Sequence, residues 1–589
     1  MEVKLKPPEW DLGNIYIGIS DPKIGSDLKV ISFKTQKFMN SYKGNVCKLD
    51  NDQFYTALRE YEAINALSIK VRSFCDLMRL KKTSDHTLLS FWQNTSEELN
   101  RLSSLLTFFQ LEVSLIDDKQ YFQYLTSLPL KSYKKWFDKL RIARDFFLKE
   151  EIEIVLHKKD LVGTEFYGRL FDEALANIRF DLDGEVLTLS KILGKLGSNN
   201  KRIRKTASRV FAKGLENNIK LTSQLLNVII KDKQIEDELR GFSHPASARN
   251  LENEINDDVV ESMISTISEN YEATSHRYYA YKAKRMGLNF LNYWDRNAPL
   301  PESTNPYINW ETAKKIIVEA YQSFDPDFGK IASQLFVSNR IDAAPRTAKY
   351  NGAMCSPSIA GPLPYILLNY KGGVEDVLTC AHEIGHGIHR VLAWDRGFLM
   401  SQPSTILAET ASSFGESLVF QSLLYSLEPG IQRHNMLANR VENLLNNICR
   451  QTAFHQFETK VHSEGRESAL NVERIGQLWM ETQQASLGPS FRLDSEYSNY
   501  WSYIPHFFHS PFYAYSYAHS SCVVNSLFKV FGQDKDRFRK KYKNFLMAGG
   551  AITYSEFINM FDLDAFKPTL WKNGLETIND CITELEEYL

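Results

Sequence analysis

No stretch of this chain reaches about 18 consecutive apolar residues, so no membrane-spanning helix is expected. Neither sign of charge prevails. The 70 basic and 72 acidic residues leave a formal charge of -2, which excludes a sequence-wide field for nucleic acid or an anionic membrane surface. Cysteine is scarce and unpatterned: Cys47, Cys75, Cys355, Cys380, Cys449, Cys522 and Cys581 are odd in number and form no CxxC pair. They read as reduced thiols of a reducing compartment, not as a disulfide framework. The opening residues, from Met1 to Glu9, lack the apolar core of a signal peptide, and the cytoplasm is the expected location. Repeats of fixed period and low-complexity linkers are missing too. What is left is an ordinary globular composition, 43% hydrophobic and 24% charged, in 589 residues, more than one compact core holds.

Most of the chain carries a helical pattern. Apolar residues recur at three- and four-residue spacing over Asp52–Leu80, Leu88–Ser114 and Thr222–Leu239, with charges between them. Gly194, Gly197, Ser198, Asn199 and Asn200 punctuate this texture. They mark either a boundary between an N-terminal helical lobe, 1–197, and a second region, 198–589, or an internal turn of one helical domain. After about residue 336 the helical period fades. Pro364 to Tyr370 is a short apolar and aromatic run bounded by breakers, which suits a strand. Gly372 and Gly373 follow, and then a helix is predicted from Val374 to Ala393.

That helix contains His382-Glu383-Ile384-Gly385-His386, an H-E-x-x-H pattern expected by chance on the order of 0.02 times in a chain of this length. Residues four apart on an α-helix differ by about 40° in direction, so the two imidazoles can converge on one ion. Glu383, about 100° from His382, can reach a water on that ion without competing as a ligand. Val377, Ala381, Ile384, Ile388 and Val391 form a stripe that buries one face of the helix. Buried histidines and a glutamate then need partners, and a metal supplies them.

The residues alone leave the third ligand open. His389 lies on the same face but one turn further on. A metzincin needs Gly at 389 and His at 392, whereas this chain has His389 and Leu392. Glu409 is the better candidate. It stands early in a helix predicted from about Ile406 to Leu427, among Ala408, Ala411, Ser412 and Ser413, small enough to let an antiparallel partner approach. A solvent-facing Glu409 is the plain alternative. Glu416, seven residues on, shares its face and can orient a ligand histidine.

Four blocks together carry a resemblance. These are Trp10-Asp11-Leu12; Gly352-Ala353-Met354-Cys355 with Pro364–Tyr370; the His382–His389 motif with Ala408-Glu409; and Ile504-Pro505-His506-Phe507 with Pro511–Ala518. The chain resembles the thimet-oligopeptidase-type zinc peptidases, most of all their oligoendopeptidase F branch. The resemblance implies a mainly α, large bilobed helical zincin with a small β-sheet beside the zinc-binding helix and a deep central channel. It makes 198–589 the peptidase domain. It implies one zinc per chain held by His382, His386 and Glu409, with Glu383 as general base for a zinc-bound water. It also places His506, and Tyr513 and Tyr515 as the best-matching tyrosines, over the substrate.

The expected activity is hydrolysis of internal bonds in short peptides. An exopeptidase is the alternative, and a peptide-binding scaffold with structural zinc the reading from another class. A structural site usually has four protein ligands; three plus an uncommitted Glu383 favour catalysis. Pro364–Tyr370 is further read as an exposed edge strand to which substrate adds.

Overall fold

The computed structural model describes residues 6–160, 162–301, 306–356 and 361–588, so the first five residues of the signal-peptide reading lie outside it. The fold is mainly α, as expected, with a few very short strands. Among the described residues no helix is long and apolar enough to cross a membrane.

Helix ends follow capping chemistry. The first long helical pattern becomes Asn51–Lys81, where Asp50 accepts the Gln53 N–H and the Gln53 side chain accepts the Asp50 N–H. The pattern over 88–114 is two helices, His86–Ser104 and Thr107–Ser114, broken at Leu105 and Leu106. The third starts about twenty residues earlier than its apolar stripe suggested. It runs Lys201–Arg240, capped by Asn200, whose side chain accepts from Arg202 and Ile203, and closed by Gly241 at φ 84°. The Gly194–Asn200 cluster is thus the turn that ends one helix and caps the next.

The chain folds as two compact units, each assembled from separated segments. The first comprises Met1–Glu150, Asn305–Ser426 and Phe531–Phe561. Its core joins Phe38, Phe54, Phe109 and Tyr124 of the N-terminal helices to Tyr365 and Leu367. The second comprises Glu151–Thr304, Leu427–Val530 and Asp562–Leu589. Phe211, Phe454, Trp479, Trp501, Phe507 and Phe508 are central to its core.

Seven strands form three small sheets among the described residues. β1 (Phe180–Leu182) and β2 (Glu185–Leu187) make a hairpin, and β3 (Leu291–Asn292) pairs in parallel with β7 (Phe491–Arg492). The sheet beside the His382 helix has the order β4 (Ile341–Asp342), β6 (Tyr365–Leu367), β5 (Met354–Ser356). β6 runs parallel to β4 and antiparallel to β5, with Ile366 opposite both Ile341 and Cys355.

This order overturns the edge-strand reading of Pro364–Tyr370. β6 is the central strand, all three of its residues are buried, and both its edges are taken. Ile366 donates to Arg340 O and Leu368 to Asp342 O on one side. The fully buried Lys349 ammonium, which donates to an Asp342 carboxylate oxygen at 2.8 Å, also donates to Leu368 O. An uninterrupted apolar run marks a strand covered on both faces, not an exposed edge. Among the described residues, β4 and β5 are the two edge strands of this sheet.

Candidate active site

The helix that carries the motif spans Val374–Ala393 and starts where the sequence places its glycines. Gly372 adopts φ 98°, a left-handed conformation that favours glycine. The Asp376 carboxylate then reaches back to accept the N–H groups of Lys371 and Gly373, each at 2.9 Å, closing the first turn. Val377, Ala381, Ile384 and Ile388 are buried, as their spacing predicts, while Val391 is partly exposed.

The partner helix, Thr405–Tyr425, packs on it more closely than ordinary side chains allow. A Cβ at Gly385 would stand 2.9 Å from Ser412 Cα and 3.0 Å from the Tyr321 phenol oxygen, and one at Gly415 would overlap that same oxygen. Tyr321 is wedged here because its hydroxyl donates to Ala381 O at 2.8 Å. Gly385 inside the motif is therefore a packing requirement. Tyr542, on the helix Lys535–Ala548, donates to Ala411 O from behind. The contacts run His386 to Glu409, Gly385 to Ser412 and His382 to Glu416, so the two helices are antiparallel.

This approach brings His382, His386 and Glu409 together, their ligand atoms all within 4.8 Å of one another. His382 Nε2 lies 3.4 Å from one Glu409 oxygen and His386 Nε2 3.9 Å from the other. Ligands about 2.1 Å from a tetrahedral zinc stand roughly 3.4 Å apart, so the donor set fits that ion. On the other edge of the His382 ring, Nδ1 lies 3.5 Å from Glu416. His389 does not join the group. It is buried, its ring 5.4 Å from that of Phe545, and burial pushes its imidazole down to about 3.

Burial favours the neutral form of every group here, and the neighbours decide the outcome. His382 resists it, because Glu409 and Glu416 hold the imidazole up at about 10. Burial, with His382 beside it, lowers His386 to about 4. Glu409 stays below the usual carboxylate range although burial opposes this, because both histidines face it. Glu383 is 6% exposed, and burial raises it to about 7, against the charge of His382. One of its oxygens is buried without a hydrogen-bond partner. It is a buried carboxyl beside His382 and Glu409, with a raised pKa of the kind that suits proton transfer.

The C-terminal candidates lie in the second unit. His506 opens a short helix, His506–His509, and its ring stacks on Tyr513 at 6.0 Å. Its Nε2 is 3.4 Å from the Tyr517 hydroxyl, and Tyr513 and Tyr517 pack edge to face at 5.5 Å. Tyr515 turns the other way. It is fully buried, its hydroxyl accepts a hydrogen bond from Asn253 Nδ2 at 2.8 Å, and burial raises its phenol. The structure thus groups His506 with Tyr513 and Tyr517. The spacing offered a signal for Tyr517: it stands four residues from Tyr513, whereas Tyr515, only two away, turns to another side.

Two imidazoles and a carboxylate converging on one point, with a second carboxylate poised beside them, are the donor set of a metallopeptidase. The comparisons agree. Residues 196–577 match the model of Peptidase family M3, and residues 112–180 match Oligopeptidase F. The chain belongs to Peptidase family M3 and is a metallo-oligopeptidase.

It is 24% identical over 584 residues to an oligoendopeptidase F homolog of Borreliella burgdorferi, covering 98% of this chain and 97% of that one. It is 23% identical to oligopeptidase PepF of Bacillus subtilis over 564 residues, 94% of this chain and 83% of the other. Its fold matches a crystal structure from Chlamydophila abortus with a TM-score of 0.83 at 20% identity, over 98% of both chains. It also matches oligoendopeptidase-F from Enterococcus faecium with a TM-score of 0.73 at 18% identity, over 96% and 98% of the two chains.

Proposed function

We propose that this metallo-oligopeptidase is a zinc-dependent endopeptidase that cuts internal bonds of short peptides. The observation that carries the reading is the convergence of His382, His386 and Glu409 beside a Glu383 carboxylate with one unpartnered buried oxygen. Bound there, one zinc per chain would bring the pKa of a water toward neutrality and polarise the scissile carbonyl.

The protein's own groups do the rest. Glu383 takes the proton of the attacking water and passes it to the leaving amine. Its raised pKa suits both halves of that exchange. Glu416 faces Nδ1 of His382 and so commits Nε2 to the metal side. His506 and Tyr513 donate to the carbonyl oxygen as it becomes anionic. Tyr517 shares that role, since its hydroxyl adjoins His506. Tyr515, whose phenol is held by Asn253, anchors the segment.

Substrate adds as a strand along β5, which packs against the His382 helix and has a neighbour on one side only among the described residues. Recognition through backbone hydrogen bonds gives broad side-chain tolerance. Along the sequence the peptidase domain is 198–589, a reading supported by the M3 match over 196–577. Residues 1–197 precede it as an N-terminal region, of which 1–150 and 151–197 fall in different compact units. The cytoplasm is the proposed location, because all seven cysteines are free thiols.

The test is incubation with a mixed-length peptide pool, free and end-blocked, with and without chelator, read by mass spectrometry. Chelator-sensitive cleavage of internal bonds in blocked short peptides supports the reading. Cleavage confined to free termini makes the protein an exopeptidase, and chelator-insensitive cleavage removes the metal.

A further inference from the structure

Phe512 has φ 61°, the only aromatic residue among the non-glycine positions of positive φ in the described residues. A bulky side chain in the left-handed region costs of order 1–3 kcal/mol and persists only where its surroundings over-determine it. Here they do. The Phe512 N–H donates to Glu458 Oε1 at 2.7 Å, from a helix spanning Gln451–Glu467. The rings of His455 and His462, on the same helix, lie 5.6 and 4.9 Å from the Phe512 ring. Arg249 Nε donates to the preceding carbonyl, Pro511 O, at 3.4 Å. On the far side, Asn253 holds Tyr515.

Glu458 is 1% exposed, and no part of the proposed chemistry uses it. A carboxyl group buried this deeply is costly, and a backbone N–H at a strained residue is what it serves. The segment it fixes is the one that carries Tyr513 and Tyr517 beside His506.

We propose that Glu458 is a positioning residue: by accepting the Phe512 N–H it holds the chain in the left-handed turn that sets where Tyr513 and Tyr517 stand. This rests on the reading of those tyrosines and His506 as donors to the substrate. Burial pushes the Glu458 carboxyl up to about 8, against the Phe512 hydrogen bond and the charges of Arg249 and Lys233. Near neutral pH it therefore offers a carbonyl-type oxygen, which glutamine reproduces.

The experiment measures kcat and KM on one short peptide for Glu458→Gln, Glu458→Met and the double variant Tyr513→Phe/Tyr517→Phe, per folded molecule by circular dichroism. Glu458→Gln is expected within about twofold of wild type, because the acceptor remains. Glu458→Met is expected to lose about 10- to 100-fold in kcat, the scale of an ångström-sized misplacement, with KM within about twofold. If Glu458→Met does not fold, Glu458→Asp replaces it: the carboxyl stays but falls short of the Phe512 N–H. Wild-type kcat in Glu458→Met or Glu458→Asp overturns the proposal, as does a Gln variant as impaired as Met, or a change confined to KM. If the double tyrosine variant keeps wild-type kcat, the donor reading falls and this proposal with it. If only the double variant is impaired, the donor reading stands and the positioning role falls alone.

Discussion

Glu416 sits 3.5 Å from Nδ1 of His382, while Glu409 sits 3.4 Å from Nε2 of the same ring. One imidazole is thus gripped along both edges by carboxylates seven residues apart on a single helix. Orienting partners of this kind are worth about 10- to 100-fold in metal affinity. Glu416→Gln should weaken zinc binding by that factor in a chelator competition titration and lower the melting temperature of the metal-loaded protein accordingly. Wild-type affinity would remove Glu416 from the metal centre.

Gly415 faces the Tyr321 phenol with no room for a methyl group. Gly415→Ala should destabilise the protein by about 1–3 kcal/mol, the usual cost of overpacking a buried contact. Adding Tyr321→Phe removes the overlapping oxygen and should recover part of that loss. The check is urea unfolding of both variants. An unaffected single variant would mean that the two helices tolerate separation.

Tyr517 and Tyr515 are two residues apart but have different neighbours: His506 for the first, Asn253 for the second. Tyr517→Phe should lower kcat more than it raises KM, because the lost hydrogen bond matters most in the transition state. Tyr515→Phe should act chiefly on stability, since it leaves the buried Asn253 amide short of one acceptor. Kinetics and melting of the pair decide between them. The reverse pattern would restore Tyr515 as the donor.

Glu458 carries a pH signature of its own. Its carboxyl titrates near 4.5 when unfolded and near 8 when folded. A raised folded pKa means that its stabilising contribution is fully present below about 4.5 and is lost as pH rises toward about 8. Arg249 and Lys233 face it, and His455 and His462 on its own helix are held neutral, each pushed down to about 3 by burial. Glu458→Gln should therefore melt higher than wild type at pH 8, with the gap closing at pH 5. A constant gap would show that the buried carboxyl does not titrate in this window.

The His382 helix was legible to the residue, Val374 to Ala393, because amphipathic period, glycine start and motif all agree on it. The Glu409 helix was legible as well, shifted by one or two residues at its ends. Less visible were features that depend on what lies across a tertiary contact. Nothing local to Tyr321 announces that its hydroxyl will fix the distance between two helices sixty and more residues away. Nothing in Phe512 announces a left-handed backbone either, since only the distant Glu458 makes it tenable. Pro364–Tyr370 was legible as a strand, but not as a central one, because an apolar run does not say which neighbours flank it.

Glu383 is the carboxylate that stands beside the triad without belonging to it. The most direct measurement is the turnover of Glu383→Gln on a blocked short peptide at full zinc occupancy. A proton-transferring base predicts retained zinc and a loss of about 10²- to 10⁴-fold in kcat. Turnover close to wild type with the metal in place would contradict the account.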